Sequence, residues 1–98
     1  MARIRTIKPE LFTDEDLSTV SETALILSMG ILTYADDYGY FNANEKLIKA
    51  ALFPLRNANV QKAIEELEAI GYLQTVEYLG KRYGRVVNFQ RHQCVNRP

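Results

Sequence analysis

The densest apolar run in the chain is SETALILSMGILTYAD, residues 21–36. Its apolar positions are Ala24, Leu25, Ile26, Leu27, Met29, Ile31, Leu32, Tyr34 and Ala35, and they leave almost no polar stripe. A helix that is apolar nearly all round is buried on more than one side. The segment therefore predicts a central helix, closed on its second side by the rest of the domain or by a second subunit. Ser21 stands where a cap is needed, and Glu22 falls in the first turn, where a carboxylate favours the helix dipole. Gly30 costs about 1 kcal/mol against alanine in mid-helix and marks a close approach of another element.

The flanking patterns are shorter. MARIRTIKPELF predicts an extended arm, because Pro9 keeps Lys8 out of the helical region. Pro9 itself suits the first turn of a helix, and PELFTDEDLSTV predicts one or two helical turns with Leu11, Phe12 and Leu17 facing inward. Beyond the central helix, Gly39 breaks the chain and Tyr40-Phe41 predict a short strand. Asn42 or Asn44 then caps EKLIKAALF, a helix of about two turns ending before Pro54. PLRNAN is a turn. In VQKAIEELEAIG, Val60, Ala63, Ile64, Leu67 and Ile70 share one helical face, and Gly71 terminates the helix. YLQTVEYLGKRYGRVVNF predicts a β-hairpin around a tight Gly-Lys turn, with Leu73, Val76, Tyr78, Tyr83, Val86, Val87 and Phe89 as its apolar content. QRHQCVNRP is polar and basic. The domain is therefore set at residues 1–90, with 91–98 as a tail or the start of a linker.

Two helices joined by a short turn are a helix-turn-helix, and a hairpin after them gives a winged helix. The predicted fold class is α+β: three or four helices plus a C-terminal β-hairpin wing.

Composition narrows the function. The 98 residues carry equal numbers of acids and bases, 12 of each, so net charge is zero. The distribution is uneven. Arg3, Arg5 and Lys8 make the start basic, and Lys81, Arg82, Arg85, Arg91 and Arg97 follow the last acid, Glu77. Basic clusters attract anionic partners such as nucleic acid; a solvated tail is the alternative. Cys94 is the single cysteine, which rules out an intrachain disulfide and fits a reducing, cytoplasmic setting. His92 and Cys94 do not make a zinc site. The TYADDYGYF stretch resembles the metal-binding tetrapeptide of reverse transcriptases, but a polymerase needs several times this length. Asp36 and Asp37 are expected to face solvent where the helix ends, accepting hydrogen bonds from the turn backbone or pairing with a base such as Lys46. No nucleophile pair or phosphate-cradling glycine loop is present, so no catalytic residue, metal or cofactor is assigned.

The segments ARIRTIKPELFTDEDL, TYADDYGYF, KLIKAALFP and VVNFQRHQCVNRP resemble the N-terminal domain of phage-encoded helix-turn-helix or replication-initiation (replisome-organiser) proteins, similar in domain type to DnaD-like primosome proteins. RIRTIKPE and NFQRHQ are the most specific parts. The resemblance implies a replication or transcription-control protein of a phage, acting in the host cytoplasm on double-stranded DNA, on partners such as a helicase or helicase loader, or on both. It also singles out Arg91, His92 and Gln93, to which residue chemistry gives no role. Members commonly continue into a linker and a C-terminal domain.

In such a domain the last helix enters the major groove and the wing meets the backbone. Asn57, Asn59 and Gln61 are then candidates for base contacts, and Arg56 and Lys62 for phosphates. Glu65, Glu66 and Glu68 on the same outward face oppose DNA and favour a protein partner. Lys81, Arg82 and Arg85 around Tyr83 form a cationic wing tip; protection of a sheet edge is its plainer role. Arg3 and Arg5 suit a minor-groove arm, unless Ile4 and Ile7 add a strand to the sheet. Arg91 completes the basic set. The competing function is a protein-interaction or homo-oligomerisation module with little DNA affinity of its own.

Overall fold

The computed structural model describes residues 4–93, as an α+β domain with one three-stranded antiparallel sheet. Its elements are helix α1 (Glu10–Thr13), a 3-10 turn (Leu17–Thr19), α2 (Glu22–Tyr34), β1 (Tyr40–Asn42), α3 (Glu45–Leu52), α4 (Val60–Ala69), β2 (Leu73–Tyr78), β3 (Lys81–Val86) and α5 (Phe89–His92).

α2 is the central helix that its apolar pattern predicts. Ala24, Leu27, Ile31 and Leu32 are buried, and the helix packs on both α3 and α4. Full burial of a leucine or isoleucine stabilises by about 1.5–3 kcal/mol, so α2 is a major contributor to a core that also draws on α3, α4 and the sheet. Most of its second side is closed within the chain; Ile26 alone among its large apolar residues is clearly exposed. Ser21 caps it by accepting from Ala24 N–H. Ser28 is buried too, and its carbonyl accepts the Tyr72 hydroxyl at 2.7 Å, fastening the entry of β2 to mid-α2. The close approach at Gly30 is made by the Leu52 side chain of α3.

Asn44 caps α3 and Asn59 caps α4, each side chain accepting a backbone N–H from the first turn. Between them, buried Phe53 anchors a turn whose Leu55, Arg56 and Asn57 are exposed. α4 buries Val60, Ala63, Ile64 and Leu67, the face its spacing predicts.

The sheet order is β1-β3-β2, so the short strand after α2 pairs with the far strand of the hairpin. Opposite pairs are Tyr40 with Arg85, Asn42 with Tyr83, and Val76 with Tyr83. Gly84 sits under the Phe41 ring: a Cβ there would meet ring atoms at 2.4 Å. That close crossing brings β1 onto β3.

Several expectations need correction. The hairpin turn is Leu79-Gly80, not Gly-Lys, and both residues have positive φ, 51° and 78°. β3 ends at Val86; Asn88 turns left-handed at φ 59°, and the chain re-enters a short helix at Phe89. Arg91, His92 and Gln93 therefore continue the packed domain past residue 90. Gln93 is buried and exchanges hydrogen bonds with Thr6. Phe12 is 65% exposed rather than inward, since its neighbour Leu11 takes the core side of so short a helix. Residues 4–8 form no strand, so Ile4 and Ile7 add nothing to the sheet. Cys94, Arg97 and Arg3 lie outside the described residues.

Candidate nucleic-acid interface

The start of α4 gathers the polar residues that its sequence offers. Arg56 and Asn57 are exposed on the incoming turn, Asn59 spends its side-chain oxygen on the Lys62 N–H, and Lys62 is exposed one turn along. Gln61 is placed differently from the sequence expectation. Its Oε1 accepts from Arg82 Nη1 at 2.7 Å, and its Nε2 donates to Glu65 Oε2 at 3.1 Å. Both ends of the amide are engaged, so Gln61 links the hairpin to α4 instead of presenting a free edge to a base.

The glutamates of α4 are also accounted for. Glu66 accepts from both the N–H and the hydroxyl of Ser21, each at 2.8 Å. Those bonds hold its carboxyl below the usual carboxylate range, the backbone N–H contributing most. Glu68 accepts from Thr75 Oγ1 at 2.8 Å. Glu65 is tied to Gln61. Two of the three acids thus bind α4 to its neighbours, and the sequence could not show this because the partners are 45 and 7 residues away.

The hairpin separates the cations that its sequence groups together. Strand alternation sends side chains to opposite faces. Lys81, Tyr83 and Arg85 share the outer face of β3, while Arg82 turns to the other side and reaches Gln61. Arg85 Nε donates to Gln74 Oε1 at 2.9 Å across the strands. Tyr40 and Tyr78 lie on the same outer face by register. Neither was a candidate from sequence, because the three tyrosines come from three strands and only the register brings them to one face.

Arg5 folds back onto the domain. Its side chain is only 9% exposed. Its Nε donates to Leu32 O at 3.1 Å, its Nη2 donates to Asp37 Oδ1 at 3.0 Å, and its guanidinium lies 5.6 Å from the Phe89 ring centroid. Asp37 thus pairs with Arg5 and not with Lys46. Asp36 Oδ1 accepts the N–H groups of Tyr38 and Tyr40, which is a turn-closing role. Both carboxylates are half-buried rather than fully solvent-facing.

Arg91 stands apart from α4 as well. It lines a cleft of about 460 Å³ with Lys8, Asp14, Leu17, Tyr72 and His92. Lys8 Nζ donates to its carbonyl at 2.9 Å. His92 packs on Tyr72 with ring centroids 5.1 Å apart. Burial, then neighbouring Arg91, pushes the imidazole below its ordinary value, and burial raises the Tyr72 phenol. Among the described residues, no group of three or more His, Cys, Asp or Glu is placed to hold a metal ion. No helix among them is long and apolar enough to cross a membrane. Comparison of the chain with protein-family models, with curated proteins and with solved structures finds no match.

Proposed function

We propose that this chain is a winged-helix DNA-binding domain of a phage-type replication-initiation or regulatory protein. In this reading α3 and α4 are the helix-turn-helix and the β2–β3 hairpin is the wing. The observation that carries it is the Arg82–Gln61 bond, which fixes the hairpin against a helix whose amino end is cationic and amide-rich. Docking by that end puts Arg56 and Lys62 against phosphates and Asn57 at a base edge. The glutamates that argue against DNA lie further along α4, two of them bound to other elements. The assignment to replication rests on the sequence resemblance, and a helicase or helicase loader is the partner it implies.

Fluorescence anisotropy with a 20-base-pair duplex tests the reading. Affinity should fall with salt at a log–log slope of about −0.9 per phosphate contact. Arg56→Ala with Lys62→Ala should weaken binding and reduce that slope by roughly 2. Unchanged binding in this variant overturns the placement of α4. A wild-type chain that ignores duplex at low salt yet self-associates in light scattering supports the protein-interaction alternative.

A further inference from the structure

We propose that the outer face of the sheet binds single-stranded nucleic acid, with bases stacking on Tyr40, Tyr78 and Tyr83. These rings are 55%, 66% and 43% exposed. None of their hydroxyls makes a hydrogen bond among the described residues. Buried tyrosines usually find a partner for the hydroxyl, as Tyr72 does at Ser28; these three are held by no such need.

Register places them together. Tyr83 stands opposite Asn42 on one side and Val76 on the other, with Tyr40 and Tyr78 at its diagonals. Diagonal neighbours on one sheet face lie about 7–8 Å apart. The tyrosines thus step across all three strands, leaving ring faces open. Between Tyr40 and Tyr83 the surface sinks into a shallow hollow that also includes Asn42 and Asp36.

Charge selects the occupant. Lys81 and Arg85 stand among the rings, opposite Tyr78 and Tyr40 respectively. Glu77 belongs to the other face by alternation. Asp36 at the rim is the one acid of the hollow, and its Oδ1 is already occupied by two backbone N–H groups. Aromatic rings interleaved with cations suit a strand of unpaired bases on a phosphate backbone. A duplex offers no base face to stack on. This site is separate from α4, and the inference does not depend on duplex binding.

The test uses fluorescein-labelled oligothymidylate of 15 nucleotides, an abasic strand of equal length and a duplex. The wild-type chain should bind oligothymidylate at least about tenfold more tightly than the abasic strand, and its intrinsic tyrosine emission should be quenched. The Y40A/Y78A/Y83A chain should lose at least about tenfold in oligothymidylate affinity. A second variant with leucine at the three positions preserves apolar area without a π-face, and it should lose binding equally. Equal wild-type affinity for the abasic strand, or no quenching, overturns the inference without need of any variant. So does a folded triple variant that binds as wild type, or a wild-type dimer in sedimentation that the tyrosine substitutions dissociate with no effect on oligothymidylate. Loss of duplex binding with oligothymidylate binding retained would count against the function of α4 alone.

Discussion

Arg5 Nη2 stands 3.0 Å from Asp37 Oδ1 and ties the arm to a turn 32 residues away. The same guanidinium donates to Leu32 O near the end of α2, where unpaired carbonyls carry the negative end of the dipole. Arg5 therefore acts as a basic cap for a helix whose own last turn has no basic residue. Arg5→Ala should cost about 2–4 kcal/mol in urea unfolding, because a buried donor network is lost. Arg5→Lys should recover only part of it, since an ammonium lacks the planar fork. Asp37→Asn should cost less than Arg5→Ala, its carboxylate being 44% exposed. An arm serving DNA alone would leave the urea midpoint unmoved.

The hairpin turn offers the opposite sign. Leu79 holds φ 51° and is 84% exposed. A left-handed conformation costs a residue such as leucine about 1–2 kcal/mol, whereas Asn-Gly is a favoured pair for a turn with two positive φ angles. Leu79→Asn should raise stability by about 1 kcal/mol and shift the thermal midpoint upward. A fall in the midpoint would mean that the leucine side chain has a contact worth more than the strain.

The helices were legible because their signals are local. Ser21 caps where the sequence places a cap, Asn44 rather than Asn42 takes the cap of α3, and the face of α4 follows from spacing alone; the cap at Asn59 was not foreseen. The short strand at Tyr40-Phe41 was legible too, from the break at Gly39. What the sequence hid was long-range pairing. Glu66 reads as an exposed acid until Ser21 is brought to it, and Arg5 reads as a free cation until Leu32 and Asp37 surround it. The wing cations looked like one cluster because adjacency in sequence is mistaken for adjacency in space; on a strand it means opposite faces. The packing of the chain at Gln93 was hidden for a similar reason. QRHQ is polar, and only Thr6 explains why Gln93 is buried.

Gly84 and Phe41 provide a packing test. A methyl at position 84 would come within 2.4 Å of the Phe41 ring, a distance that forces movement. Gly84→Ala should destabilise by about 1–3 kcal/mol, the usual range for overpacking. Phe41→Leu in the same chain should restore part of that loss by vacating the ring position, so the two changes should be non-additive in a double-mutant cycle. Additive costs would show that Gly84 is needed for its backbone and not for the ring.

His92 makes stability depend on pH in a defined window. Its folded pKa lies below the ordinary 6.5, through burial first and then Arg91, with Lys8 adding to the effect and Asp14 opposing it. Below about pH 6.5 the unfolded chain takes up a proton that the folded chain resists. The contribution is therefore fully present above 6.5 and is lost as pH falls through the folded value. Urea unfolding between about pH 7.5 and pH 5, above the main carboxylate range, isolates this effect. Wild type should lose stability across that interval. His92→Phe keeps a ring against Tyr72 and should flatten the profile, while leaving stability at the upper end close to wild type. A profile unchanged by this substitution would assign the pH dependence to another group and leave His92 as a packing residue only.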